Sequence, residues 1–161
     1  MALDLVHDVQ RAYRGLVRAT AFPGTIIDLS GIATKIQPGP PFNPAMLLLA
    51  QIVLDGEVSF GVLSSNRDRD ECIIRERTFA TRAALDQGQY IFVIGAEVDP
   101  TPALSEAPEG TLSDPHRGAT VVVEVRRVGE VGSDANPRAA TGQQLTLTGP
   151  GIRHAAEVFV E

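Results

Sequence analysis

The chain has 161 residues, 43% of them hydrophobic, enough for one compact domain with a substantial core and no covalent staples. Twenty acidic residues against fourteen basic ones give a net charge of −6, which argues against a general affinity for nucleic acid or an anionic membrane. Cys72 is the only cysteine, so an internal disulfide and a multi-cysteine metal site are excluded, as suits a reducing compartment.

The amino-terminal MALDLVHD has no cationic segment ahead of an apolar run. The longest apolar stretch, AMLLLAQIVL, falls well short of the roughly 20 residues a membrane span requires. The expectation is a soluble, cytoplasmic protein. Apolar residues at Val6, Val9, Tyr13, Leu16 and Val17 recur at helical spacing and predict an amphipathic helix from Asp4 to Ala21. Its other side carries Arg11, Arg14 and Arg18, read either as a solvated face or as a dock for an acidic partner or a phosphate.

Pro23-Gly24 ends that helix, and Thr25–Leu29 is predicted as a strand. Residues 31–44, rich in glycine and proline, are expected to be a loop. Asn43 as cap and Pro44 at the first helical position announce a helix over 45–54, whose lack of a polar side implies burial on most of its circumference. After the turn at Asp55-Gly56-Glu57, Val58–Leu63 reads as a short buried strand. The densely charged stretch 66–82, around Cys72, Ile73, Ile74 and Phe79, reads as a surface helix with a narrow apolar stripe.

Tyr90–Ile94, bounded by Gly88 and Gly95, is predicted as a strand, and 101–110 as a helical turn between prolines. The valine-rich run 119–128 is predicted as one strand, joined by a long connection over 129–142 to a partner strand at 143–148. Helices early, interleaved strands and a late antiparallel pair together predict a single-domain α/β fold with a mixed sheet flanked by helices.

The chain holds no GxSxG, HExxH, GxGxxG or CxxC, so the common hydrolase, metalloprotease, dinucleotide and redox signatures are absent. Gly149-Pro150-Gly151, at the end of LTLTGPGI, is either a phosphate-binding turn or a strand exit whose glycines allow close backbone packing. Local chemistry favours the exit, because Pro150 offers no amide and no P-loop lysine follows. In Asp114-Pro115-His116-Arg117-Gly118, His116 and Arg117 could bind an anion or relay a proton, or simply form a turn. His7 and His154 have no companions at ligand spacing, so no metal is expected. Lys35, the sole lysine, sits in a stretch unsuited to a buried Schiff-base amine.

Four segments in order resemble the PhnH family, the H subunit of the bacterial carbon-phosphorus lyase system. They are Tyr13-Arg14-Gly15-Leu16-Val17-Arg18-Ala19 with Pro23-Gly24-Thr25-Ile26, and Leu47-Leu48-Leu49 with Leu54-Asp55 and Glu57-Val58-Ser59-Phe60. The third is Gly110-Thr111, Pro115 and Gly118-Ala119-Thr120; the fourth is Leu145-Thr146-Leu147-Thr148-Gly149-Pro150-Gly151-Ile152. His116-Arg117 and Thr20-Ala21 depart from the family's pattern, and members usually continue for several dozen residues past the counterpart of Glu161.

The resemblance implies a single PhnH-like domain without the family's usual C-terminal segment, distantly similar to pyridoxal-phosphate transferases. It also implies no bound cofactor, since nothing in the chain looks like the cofactor lysine. The expected role is a non-catalytic subunit that works with the G, I and J subunits and self-associates as a dimer when isolated. That complex attaches an alkylphosphonate to the ribose of ATP with loss of adenine, and bond cleavage then falls to the iron-sulfur J subunit. The alternative is a stand-alone phosphonate or nucleotide binder, or small-molecule enzyme, using Gly149, Gly151, His116 and Arg117.

Overall fold

The computed structural model describes residues 4, 6–36, 42–130, 142–149, 152 and 155–161. In chain order the helices are α1 (His7–Ala21), α2 (Ser30–Ala33), α3 (Pro44–Val53), α4 (Arg67–Thr78) and α5 (Thr101–Glu106). The strands are β1 (Ser59–Ser64), β2 (Thr81–Arg82), β3 (Tyr90–Ile94), β4 (Thr120–Val123), β5 (Val128–Glu130), β6 (Gln143–Leu147) and β7 (Ala156–Val160). They form two compact units: Ala33–Glu124 is continuous in sequence, and the other joins Leu3–Ile32 to Val125–Glu161.

The continuous unit is a layered α/β structure around a four-stranded sheet, order β2-β1-β3-β4, with every pairing parallel. Register places Val62 beside Phe92 and Phe92 beside Val122, so one face carries Phe60, Val62 and Phe92. On this side α4 packs against β1 and α3 against α4, and Phe60, Phe92, Leu47, Leu48 and Ile74 are sealed from solvent. The opposite face carries Ile91 and Val93, which cluster with Ala103 of α5. Parallel strands buried on both sides read as unbroken apolar runs, which is why YIFVI and SFGVL lack alternation.

Helix α3 begins where the sequence places it. The Asn43 Oδ1 accepts from the Ala45 amide at 2.9 Å, and Pro44 fills the position whose own amide has no helical partner. The charged helix ends earlier than expected, because Phe79 takes a left-handed conformation with φ 63° and turns the chain into β2. Its buried stripe is also more polar than expected. Asp70, Glu71, Ile74 and Thr78 face inward, whereas Cys72 and Phe79 are exposed. Each inward polar group has a partner: Asp70 accepts from Ser64, Thr78 donates to the Ile74 carbonyl, and the Glu71 carboxylate meets Arg67 at 2.6 Å and Arg82 at 3.8 Å.

The second unit contains α1 and a three-stranded antiparallel sheet, order β5-β7-β6. The mixed sheet expected from sequence is therefore two sheets, one parallel and one antiparallel. The valine run is split between them, with β4 ending at Val123 and β5 starting at Val128. Nor do the two predicted late strands pair: β7 lies between β5 and β6 and bonds to both. Thr25–Leu29 is no strand either; Ile27 and Leu29 lie against α1 instead, and an added Cβ at Gly15 would stand 2.8 Å from Ile27 Cγ2 and 3.5 Å from Leu29 Cδ2. Part of the expected loop forms the short α2.

Helix α1 is rotated from the side its apolar spacing suggests, so that Val9 and Leu16 of that spacing are half-buried and the other three exposed. Asp8 and Ala12 are buried and Gly15, Leu16 and Ala19 half-buried, while Val6, Tyr13 and Val17 remain 70%, 52% and 45% exposed. Asp4 holds its first turn: Oδ1 accepts from the Val6 and His7 amides, and Oδ2 lies 2.9 Å from His7 Nδ1. The His7 amide, then the Val6 amide, then the His7 ring lower the Asp4 carboxyl from its ordinary 3.8 to about 2. The folded state therefore gains from this carboxylate above 3.8 and loses the gain as pH falls towards about 2. An NMR titration of the Asp4 carboxyl should find its midpoint near 2, and a midpoint at the ordinary value would mean that the cap does not form in solution.

Candidate functional site

In open parallel sheets, ligands settle outside the carboxyl ends of the strands, where the strand order reverses. Here the order β2-β1-β3-β4 puts that reversal between β1 and β3. The polar groups at this edge come from Ser64 at the end of β1, Gly95 after β3, Glu124 after β4 and Asn43 ahead of α3.

Asn43, Gly95 and Glu124 are turned towards one another. One Glu124 oxygen accepts from the Gly95 amide at 2.9 Å and the other from the Asn43 side-chain amide at 2.7 Å. The Glu124 amide continues the ladder by donating to the Val93 carbonyl at 2.9 Å. Since Asn43 also caps α3, one carboxylate ties two strand ends to a helix start. At the start of α4, Ser64 Oγ donates to Asp70 at 2.7 Å and accepts from the Asn66 amide at 3.3 Å. The first turn of α4 thus carries its own anions, Asp68 and Asp70, where a phosphate would otherwise be favoured. Chemically, this edge is a cross-linking knot of satisfied donors and acceptors.

The knot's Glu124 was not singled out from sequence. The available signal was one carboxylate inside VVVEV, a β-branched run in which an uncompensated charge would be costly to bury.

His116 and Arg117 lie together on a one-turn 3-10 helix, Pro115–Arg117, directly before β4. Both are exposed, and they occupy the amino-terminal end of the strand rather than its carboxyl end. The loop that presents them is closed by its own backbone. Ala119 donates to the Pro108 carbonyl at 2.7 Å, Gly118 to Pro115 and Arg117 to Asp114 at 3.1 Å each, and Asp114 to the Thr111 hydroxyl at 2.9 Å. At Gly110 φ is 73°, and a Cβ would stand 2.8 Å from the Gly118 nitrogen. The spacing of Gly110-Thr111, Pro115 and Gly118-Ala119 is therefore the geometry of loop closure. Gly110→Ala should cost about 2 kcal/mol, from the left-handed conformation and backbone crowding together. An unchanged urea midpoint would show that the loop has room for the methyl group.

Gly149 belongs to the other unit, just past β6. It does end the strand, but it permits no close backbone packing: φ is 151° and a Cβ would meet nothing within 4 Å. The Ile152 amide donates to the Gly149 carbonyl at 3.1 Å. Pro150, Gly151 and His154 lie outside the described residues. Lys35 follows α2, half-buried and already engaged. Among the described residues, no group of three or more His, Cys, Asp or Glu could hold a metal ion, and no helix is long and apolar enough to cross a membrane.

Comparison with known proteins bears on the whole chain. The family model for bacterial phosphonate metabolism protein, PhnH, matches residues 2–161. Among curated proteins, the candidate C-P lyase subunit HtxG of Stutzerimonas stutzeri is 29% identical over 150 residues. That alignment covers 90% of this chain and 60% of the relative, so the chain spans less than two thirds of the relative's length.

Proposed function

This chain belongs to the PhnH family of bacterial phosphonate metabolism proteins, and from that premise we propose that it is a non-catalytic subunit of a carbon-phosphorus lyase core complex. In this reading both compact units form one PhnH-like domain, a distant relative of pyridoxal-phosphate transferases that carries no cofactor. It assembles in the cytoplasm with G, I and J subunits, dimerises when isolated, and supports transfer of an alkylphosphonate to the ribose of ATP with loss of adenine.

The observation that carries the reading is the family match across residues 2–161. Two features of the geometry agree with an assembly role. Polar groups at the carboxyl edge of the parallel sheet are committed to one another, and side chains suited to contact, Val6, Tyr13, Val17 and Phe22, stand in solvent.

The test is co-expression with G, I and J subunits followed by affinity purification and size-exclusion chromatography. Co-elution of all four supports the subunit reading; elution of this chain alone counts against it. Calorimetric titration of the isolated chain with ATP and methylphosphonate addresses a stand-alone binder. Saturable micromolar binding, about −8 kcal/mol, that disappears in Arg117→Ala would replace the assembly reading with a ligand site at His116 and Arg117.

A further inference from the structure

Two rows of side chains run along the outer half of α1. His7, Arg11, Arg14 and Arg18 follow one another at intervals of four, three and four residues, which stacks them on a single line of the helix. Val6, Tyr13 and Val17 form a second line beside it. At 1.5 Å per residue each line is about 16 Å long. Asp8, Ala12, Gly15 and Ala19 fall on the opposite side, the side that packs inward.

Both rows are open. All four basic residues are exposed, and among the described residues none of the three arginines pairs with a carboxylate. Three uncompensated guanidinium groups in a protein of net charge −6 form a local field opposite in sign to the whole. A surface of exposed tyrosine and arginine beside aliphatic side chains has the composition of an interface core, where these two residue types are enriched.

We propose that this face of α1 docks an amphipathic helix of a partner protein, one that carries a row of Asp or Glu beside an apolar row. The two straight, parallel rows match a helix in length and spacing, and the planar guanidinium fork is suited to carboxylates held at fixed positions. A second copy of this chain fits poorly, because its own α1 face offers no row of carboxylates to meet the arginines, Asp8 being buried. An anionic bilayer gains only one short apolar row and meets the repulsion of the remaining acidic surface.

The inference rests on the assembly reading and names the surface that would serve it. The test measures binding of this chain to the purified G, I and J subunits by biolayer interferometry. Three variants are compared with the parent: Arg11→Glu/Arg14→Glu/Arg18→Glu, Tyr13→Ser/Val17→Ser, and Arg75→Glu/Arg77→Glu on the exposed side of α4 as a charge control. The first two should each weaken binding by about 30-fold, the loss expected when residues central to an interface are removed. The control should stay within a few-fold of the parent, and added salt should weaken the parent but not the charge-reversed variant. Far-UV circular dichroism confirms that α1 remains helical, and Arg11→Gln/Arg14→Gln/Arg18→Gln repeats the comparison with a milder change.

Parent binding that all α1 variants retain would overturn this inference and leave the assembly reading standing. No binding by the parent would overturn both. Binding to phosphatidylserine vesicles that is lost in the charge-reversed variant, with subunit binding unchanged, would assign the face to a membrane and overturn it as well.

Discussion

Phe92→Ala should lower the stability of the Ala33–Glu124 unit by about 4 kcal/mol. Its ring is sealed from solvent in the centre of β3, beside Val62 on one neighbouring strand and Val122 on the other. Removing it forfeits the burial of a large apolar side chain and leaves a cavity on the helix-covered face of a sheet whose hydrogen bonds hold the strands in place. For a chain of this size the loss corresponds to a fall in melting temperature of about 12 °C. Urea denaturation followed by far-UV circular dichroism measures it, and a loss below about 1 kcal/mol would show that the sheet's interior is loosely packed.

Glu124→Ala should cost about 3 kcal/mol, because the Gly95 amide and the Asn43 side chain both lose a charged acceptor. Glu124→Gln should cost less. It retains one acceptor of nearly the same shape, but its amide group meets a donor on the other side. The sign of the change discriminates between two roles for this carboxylate. Residues kept for ligand chemistry are commonly held at a cost to stability, so their removal tends to stabilise; a structural tie destabilises when cut. An Ala variant more stable than the parent would therefore move Glu124 from architecture to function.

Elements whose local signals agree with their surroundings are legible in the sequence. Helix α3 shows its cap, its proline and its apolar circumference, and all three correspond to contacts that form. β3 is bounded by glycines and β-branched or aromatic throughout, as a strand covered on both faces should be. Where the sequence misleads, the missing information is a distant partner. Thr25–Leu29 has the composition of a strand, but a strand also needs a neighbour to bond with, and this segment packs on a helix. The valine run 119–128 looks continuous until Glu124 turns it, and Arg126 and Arg127 then donate to the Glu161 carbonyl at the far end of the chain.

The candidate site divides in the same way. The turn at Pro115–Arg117 is visible as a turn, and its glycine spacing is intelligible once Gly110 and Gly118 are seen to cross. The knot around Glu124 joins residues 43, 95 and 124, and no local pattern links positions so far apart. On α1 the periodicity identified a helix but not which side faces in, because the inward positions are filled by Asp8, Ala12 and Gly15 rather than by large apolar groups.

The unit that holds α1 is assembled from the first and last segments of the chain, with the other unit encoded between them. During synthesis, α1 emerges from the ribosome before the β7 strand of its own unit has been translated. At ordinary elongation speeds that wait is on the order of ten seconds, long compared with the time a small domain needs to fold. A helix of this length is marginal when alone in water, so the nascent segment spends the interval without its sheet. Birth order thus makes the arginine-bearing helix wait for the strand that completes its unit.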